Sequence, residues 1–176
     1  MRWWPPQWRA PNRCGSMPGG KAERLVRLLT EQGLTITAAE SLTGGRIAAA
    51  ITSVPGSSNV FPGGVVSYCD RIKHEVLGVP EDVLSEFGAV SAPAAEAMAL
   101  GVARLMDTEL ALSATGLAGP DGDGSANPVG TVFLGLCAMG QVRVERHVFS
   151  GDREAVRTQS MDRALELALE WLENRD

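Results

Sequence analysis

The sequence predicts an α/β domain, a three-layer α/β/α sandwich built on a five-stranded mixed sheet. Short runs rich in β-branched residues alternate with helical segments along the N-terminal part of the chain. Two later strand-like runs are separated only by Met139 and Gly140, which is the spacing of an antiparallel hairpin. A long amphipathic segment closes the chain. Alternating strands and helices give parallel strands covered on both faces, and the hairpin makes the sheet mixed.

Periodicity and end signals place the N-terminal elements in order. Leucines recur on one face of the first helix, and Gly33 follows it where helices commonly end in the left-handed conformation. Asp70 and Ser91 are predicted N-caps, because such side chains accept from free N–H groups of a first helical turn. The elements are a helix over 21–32, a strand over 34–39, a helix over 46–52, a strand over 64–69, short helices over 71–77 and 81–86, and a longer helix over 92–106.

The C-terminal elements follow the same logic. A third strand covers residues 109–114, and a loop rich in Gly, Pro and Asp covers 116–128. Strands over 130–138 and 141–149 form the hairpin, and a helix over 152–173 ends the domain. Its predicted inward-facing residues are Ala155, Val156, Met161, Leu165, Leu169 and Leu172.

Composition and charge exclude several classes of protein. The 176 residues are 44% hydrophobic and 21% charged, as in globular domains. The formal charge is −5, and residues 17–176 hold 13 Lys and Arg against 21 Asp and Glu. Surfaces that bind nucleic acid or anionic membranes need clustered Lys and Arg, so neither partner is expected. No run approaches the roughly 18 apolar residues that cross a membrane.

Cysteine usage favours a cytoplasmic location. Cys14, Cys69 and Cys137 are scattered without a C-x-x-C spacing, which argues against a disulfide framework or a zinc site. The acidic run after Pro120 has calcium-loop spacing but lacks the required Gly and Glu. We therefore predict no metal and no cofactor.

The N-terminus differs from the rest of the chain. The first sixteen residues hold three of the four tryptophans and three of the ten prolines, with no helical or strand period. The extension assigned to residues 1–17 is predicted to be disordered, or its first sixteen residues to precede a true start at Met17. A partner-binding arm is the alternative. The folded domain is predicted over residues 18–176.

A strand-to-helix turn carries the first candidate site. Ser41, Thr43, Gly44 and Gly45 follow the first strand and open the second helix. Glycines let the backbone approach a ligand, and free N–H groups of a first turn hold an anion or oxyanion. The alternative is that Ser41 or Thr43 merely caps the helix.

Tyr68 and Lys73 are the second candidates. Tyr68 is the only tyrosine, and Lys73 is one of two lysines. A lone lysine is more often a solvated surface charge than a catalytic group. His74 and His147 are predicted at the surface, and no nucleophile elbow, phosphate-binding glycine motif or S-x-x-K motif is present. If a serine is the nucleophile, a lysine is therefore the candidate base.

Six motifs resemble one family in order and distance. It is the CinA carboxy-terminal domain family, the nicotinamide-nucleotide amidohydrolases, here in a stand-alone form. The resemblance covers roughly residues 21–172. The motifs are AESLTGG at 39–45, the Tyr68/Lys73 pair ahead of LGV at 77–79, GAVS at 88–91, TGLAGPDG at 115–122, PVGTV at 128–132 and FSGDR at 149–153.

The resemblance implies hydrolysis of the carboxamide of nicotinamide mononucleotide (NMN) without a metal. It implies Ser41 as nucleophile, Lys73 as general base and Tyr68 as proton relay. A serine hydroxyl needs a base, and a lysine serves as one only when burial or a nearby cation favours its neutral amine. Substrate-binding roles fall on Thr43, Gly44, Gly45, Thr115, Gly116 and Arg153.

Two of those roles have a physical basis. Backbone N–H groups at residues 43–45 or Gly116 would stabilise the oxyanion. Arg153, near the start of the last helix, would bind the substrate phosphate, with Arg157 a weaker candidate. The alternative for Arg153 is a surface ion pair with Asp152 or Glu154.

The family pattern is not complete here, and other functions stay open. This chain departs from it at Leu42, Cys69, Asp70 and Asn127, where members often carry Cys, Ser, Asn and Lys; the last change would weaken phosphate binding. The alternatives are a catalytically silent nucleotide-binding module and an amidase for another small carboxamide. The family implies a homodimer or larger homo-oligomer; the helix from residue 92 could form that contact or simply pack on the sheet.

Overall fold

The computed structural model describes residues 20–175 and contains a five-stranded mixed sheet. Its spatial order is β2-β1-β3-β4-β5, in which β1 pairs in parallel with β2 and β3, and the last two pairings are antiparallel. The strands are β1 (Ile36–Glu40), β2 (Gly64–Val66), β3 (Leu110–Gly116), β4 (Thr131–Ala138) and β5 (Gln141–Val148). The predicted fold class is confirmed. The extension predicted over residues 1–17 lies outside the described residues. The assignment of residues 18–176 to one domain stays a prediction.

Helices cover both faces of the sheet. Apolar residues of α1, α2 and α6 form one buried cluster, and α5 forms a second cluster on the opposite face. Side chains alternate between these clusters along the central strands, as the period of two requires: Leu110 and Leu112 join the first, and Ala111 the second. The helices are α1 (Lys21–Gln32), α2 (Arg46–Thr52), α3 (Asp70–Glu75), α4 (Glu81–Glu86), α5 (Ala92–Met106) and α6 (Arg153–Asn174). None of the helices between residues 20 and 175 has the length and apolar character needed to cross a membrane.

Several local expectations need correction. The strand predicted over 34–39 runs from Ile36 to Glu40, and the helix predicted over 71–77 ends at Glu75. The strand predicted over 64–69 ends at Val66. The Ser67 N–H makes the last hydrogen bond to β1, at the Glu40 carbonyl, and the chain then leaves the edge of the sheet. The third strand runs on to Gly116, since its pairing with β4 continues beyond residue 114. Asp70 is not an N-cap: it is the first residue of α3, Cys69 holds the cap position, and no side chain caps that helix.

Other end signals are confirmed. Gly33 ends α1 in the left-handed conformation. Ser91 caps α5 by accepting from the Ala94 N–H. Met139 and Gly140 both have positive φ, as a tight hairpin turn requires. The small residues of α5 are largely buried against the sheet, the packing role that the sequence left open.

A charged cluster ties β5 to α6. The Glu145 carboxylate accepts hydrogen bonds from Arg143, His147 and Arg163. Burial alone would raise the pKa of Glu145, but the hydrogen bonds from Arg163 and His147 outweigh it and lower the pKa to about 2. Ionised Glu145 therefore stabilises the fold above the ordinary glutamate range, and this contribution is lost as pH falls through about 2.

We expect Glu145→Gln to lower the free energy of unfolding by about 2 kcal/mol at pH 7, because the mutant loses this ionised partner of Arg163. The difference should shrink as pH falls from 5 towards 2, where wild-type Glu145 becomes protonated. Urea unfolding at pH 7, 5 and 3 measures it, with the exposed Glu31→Gln as the control. A difference that does not change with pH would contradict the expectation.

Candidate active site

A pocket of about 190 Å³ opens beside the ends of β1 and β3. Ligands of open α/β sheets collect at the carboxyl ends of parallel strands, so its place fits a binding site. Six of the nine residues predicted to act at a site line it: Ser41, Tyr68, Lys73, Thr115, Gly116 and Arg153. The fold thus brings together side chains that are far apart in the sequence.

Ser41 is the first residue after β1. Its N–H donates to the Ala114 carbonyl at 2.8 Å, which continues the pairing of β1 with β3 by one residue. The side chain is mostly buried and lines the pocket. Its hydroxyl makes no hydrogen bond to any residue between 20 and 175, so it is available to a ligand.

Lys73 lies on α3 and is only 2% exposed. Its Nζ lies 3.3 Å from Oδ1 of Asp70, an exposed carboxylate one turn earlier in the same helix. No hydrogen bond joins Nζ to the Ser41 hydroxyl, although both groups line the pocket. Catalytic hydrogen bonds are often long without substrate and tighten when it binds, so this geometry leaves proton transfer open.

A close backbone contact holds the segment that follows Lys73. A Cβ added to Gly101 of α5 would lie 1.9 Å from the Leu77 carbonyl oxygen. Real Cβ atoms do not come so near, so only glycine lets α5 pack against this turn. The packing therefore holds the turn that follows α3 against α5.

Tyr68 and Arg153 form one edge of the pocket. Tyr68 is 60% exposed, and its hydroxyl accepts from Arg153 Nη2 at 2.7 Å. Arg153 Nη1 donates to the Gly119 carbonyl at 2.7 Å. The predicted alternative, an ion pair with Asp152 or Glu154, does not occur, since Arg153 has no salt bridge within the described part of the chain.

A buried carboxylate that sequence reasoning missed organises the turn after Ser41. Glu40 accepts hydrogen bonds from the N–H groups of Gly45, Ile47 and Ala48, at 2.8 to 3.1 Å. The N-terminus of α2 is therefore occupied by an anion from the chain itself. An acidic residue directly before a glycine-containing strand-to-helix turn is the signal that could have identified it.

The three other predicted residues do not line the pocket. The Gly44 N–H donates to the Ser41 carbonyl at 3.1 Å, and the Gly45 N–H is held by Glu40. Their substrate-binding role stays a prediction, and they would have to exchange these bonds to perform it. Thr43 does not cap the helix: its buried hydroxyl has no partner within residues 20–175.

Arg157 holds the same turn from α6. Its Nε donates to the Leu42 carbonyl and its Nη2 to the Thr43 carbonyl, both at 2.9 Å. The sequence suggested Arg157 as a secondary phosphate ligand, but two of its nitrogens are engaged by backbone carbonyls. Nothing in the local sequence indicates this contact, because the partners are 114 and 115 residues apart.

The opposite wall is formed by the end of β3 and the segment before α5. The Thr115 hydroxyl donates to the Ala89 carbonyl at 2.6 Å, and Asn127 donates to the Val90 carbonyl at 3.2 Å. Both therefore position this segment. The Leu117 N–H donates to β4. Because successive N–H groups of a strand point to opposite sides, the Gly116 N–H points towards β1, beyond the last paired residues of β1 and β3.

The histidines do not contribute to this site. His74 Nδ1 contacts the Val79 carbonyl at 2.8 Å, and His147 stacks on Phe149. Neither lines the pocket. In the part of the chain that the structure describes, no three His, Cys, Asp or Glu side chains are close enough together to hold a metal ion.

Comparisons with known proteins give a consistent result. The family model of the CinA C-terminal domain matches residues 20–172. A CinA-like protein of Citrifermentans bemidjiense is 50% identical over 150 residues, covering 85% of this chain and 35% of that protein. A putative competence-damage inducible protein of Desulforudis audaxviator is 46% identical over 145 residues, covering 82% and 35%. The chain thus spans about a third of the length of the curated relatives it matches.

Solved structures are similar over most of both chains. The competence damage-inducible protein A (ComA) from Klebsiella pneumoniae has a TM-score of 0.87 and 32% identity, covering 89% of this chain and 97% of the other. The competence/damage inducible protein CihA from Agrobacterium tumefaciens has a TM-score of 0.81 and 37% identity, covering 91% and 100%.

Proposed function

The chain belongs to the CinA C-terminal domain family, and we propose that it hydrolyses the carboxamide of NMN to nicotinate mononucleotide and ammonia. One observation supports this proposal above all. The hydroxyl-bearing Ser41, the buried amine of Lys73 and the Tyr68–Arg153 pair line a single pocket. A serine hydroxyl and an amine that can act as its base are what amide hydrolysis by a serine nucleophile without histidine requires.

The reaction assigns one role to each group. Ser41 Oγ attacks the carboxamide carbon while Lys73 Nζ, as the general base, takes the hydroxyl proton. The oxyanion is stabilised by the N–H groups of the turn after Ser41 and of Gly116. Tyr68 relays the proton held by Lys73 to the amide nitrogen, which departs as ammonia. Lys73 then takes a proton from the water that attacks the acyl-enzyme and returns it to Ser41 Oγ as the carboxylate is released.

The size of the pocket favours a small reacting group. Sites that enclose whole drug-sized ligands measure roughly 300–1,000 Å³, above the 190 Å³ found here. The pocket therefore suits a pyridine ring with its carboxamide, and the phosphoribosyl part would extend past Arg153. Its guanidinium has five N–H donors, so donors remain for a phosphate beside the two bonds it makes.

Ammonia release from NMN by the purified protein tests the proposal. We expect turnover with NMN and less with nicotinamide, which lacks the phosphoribosyl group. Failure to release ammonia from NMN would overturn the proposed activity. Release from other small carboxamides at higher kcat/KM would instead favour the wider amidase function.

One observation favours a catalytically silent nucleotide-binding module. Ser41 and Lys73 share no hydrogen bond, and Lys73 Nζ lies beside the Asp70 carboxylate. A silent module would show a raised Tm with NMN but no product, because binding to the native state alone stabilises it. The same samples therefore separate the two functions.

We expect Arg153→Met to raise KM for NMN at least about tenfold, because the phosphate loses a charge-assisted partner. KM for nicotinamide riboside, which has no phosphate, should change little. Steady-state kinetics on both substrates measures the split, with Arg146→Met on β5 as the control. Equal changes in KM for both substrates would contradict the phosphate role.

A further inference from the structure

The peptide groups after Ser41 are held individually. The Ser41 carbonyl accepts from the Gly44 N–H, and the Leu42 and Thr43 carbonyls accept from Arg157. The N–H groups of Leu42 and Thr43 find no acceptor among residues 20–175. Only Leu42 lines the pocket, because Thr43 is fully buried. The Leu42 N–H follows the proposed nucleophile directly, as oxyanion donors commonly do.

Planarity links these carbonyls to the free donors. In a trans peptide, the N–H points opposite to the C=O of the same plane. Arg157 Nη2 holds the Thr43 carbonyl, whose peptide plane carries the Gly44 N–H. That N–H donates to the Ser41 carbonyl, whose plane carries the Leu42 N–H. Without Arg157, no other hydrogen bond within the described residues would hold the Leu42 and Thr43 carbonyls.

The turn is built to admit the Arg157 side chain. Gly44 has a φ of +59°, and a Cβ there would lie 3.1 Å from Arg157 Nη2. The nearest carboxylate, on Glu154, is 3.9 Å from Nη1, so the guanidinium makes its close contacts with the backbone. Glu40 holds the helical end of the same turn, and the segment is thus fixed from both sides by opposite charges.

We propose that Arg157 is a positioning residue that sets the Leu42 N–H as an oxyanion donor by holding the Leu42 and Thr43 carbonyls. It acts through the backbone and does not touch the reacting atoms. The inference rests on Ser41 being the nucleophile of the proposed function. Since the oxyanion develops during the reaction and is absent from the bound substrate, loss of Arg157 would slow the reaction and leave substrate affinity unchanged.

An alkyl fluorophosphonate tests the position of this donor without an amide substrate. Ser41 Oγ attacks phosphorus, fluoride leaves with its bonding electrons, the hydroxyl proton passes to Lys73, and the phosphoryl oxygen takes the oxyanion position. Intact-protein mass spectrometry measures the labelling rate, and peptide mapping locates the label. NMN affinity is measured in parallel by calorimetry in the Ser41→Ala background.

We expect Arg157→Met to be labelled roughly 10- to 100-fold more slowly than wild type. This loss is smaller than the 10²- to 10³-fold typical when an oxyanion donor is removed, because the variant keeps the donor and loses only its positioning. NMN affinity should stay within about twofold. Arg46→Met is the matched control, because Arg46 joins α2 to Glu154 of α6 without a contact to the carbonyls of the turn. Arg157→Lys, which can hold one carbonyl, should fall between; it replaces Arg157→Met if that variant does not fold.

Each other outcome has a defined meaning. The proposal is overturned if a folded Arg157→Met protein is labelled at the wild-type rate. If Arg157→Met does not fold, the same result in Arg157→Lys overturns it. So does an equal loss in Arg46→Met, or a parallel loss of NMN affinity. Labelling of Ser41 without ammonia release from NMN would refute the proposed substrate and leave this inference to be judged on labelling alone. Ammonia release without labelling of Ser41 would overturn the inference and leave the activity intact.

Discussion

Replacing Ser41 with alanine is expected to lower kcat for ammonia release from NMN by at least about a thousandfold, because no other group could form the acyl-enzyme. The substitution removes one oxygen that makes no hydrogen bond within residues 20–175. The fold should therefore be unaffected. Steady-state kinetics and thermal unfolding on the same preparations measure the two effects.

The matched control for this change is Ser53→Ala. Ser53 is an exposed serine that ends α2 and donates to the Ala50 carbonyl. It should retain full activity. If Ser41→Ala kept more than about a tenth of the wild-type kcat, the nucleophile would have to be sought elsewhere.

Replacing Lys73 with methionine is expected to lower kcat about a thousandfold, within the 10²- to 10⁴-fold range of general acid–base catalysis. Methionine fills the buried space of the lysine stem but cannot take the Ser41 proton. Lys73→Arg should not restore activity, because a guanidinium stays protonated in proteins. Kinetics on both variants, with circular dichroism to confirm folding, gives the result.

Lys21 provides the matched control, as the only other lysine in the sequence. It forms surface ion pairs with Asp162 and Glu166. Lys21→Met should therefore change stability slightly and activity not at all. An active Lys73→Arg enzyme would mean that the group supplies positive charge instead of accepting a proton.

The helices were predicted more accurately than the strands, for a physical reason. Helices α2 and α4 have the predicted bounds because their hydrogen bonds are local and Gly or Pro lies near their ends. The extents of β2 and β3 depend on partners far away in the sequence. Pairing with β4 carries β3 to Gly116, and nothing within β3 itself signals that.

The candidate site divides in the same way. Ser41, Tyr68 and Lys73 could be singled out because their side chains carry chemistry that a reader of the sequence can recognise. Glu40 and Arg157 could not, since they act on backbone groups that only the folded chain brings within reach. For the same reason, Gly44 and Gly45 were expected to offer free N–H groups that the fold has already engaged.

The contact between Gly101 and Leu77 makes tolerance to mutation uneven along α5. Even the smallest added side chain at position 101 would drive the helix and the turn apart, and the amine four residues before Leu77 would shift with them. A misplacement of about 1 Å can lower a rate by roughly a hundredfold, so we expect such a variant to lose most of its turnover even where it still folds. Position 101 would then behave genetically as part of the catalytic apparatus, although its residue never meets a ligand.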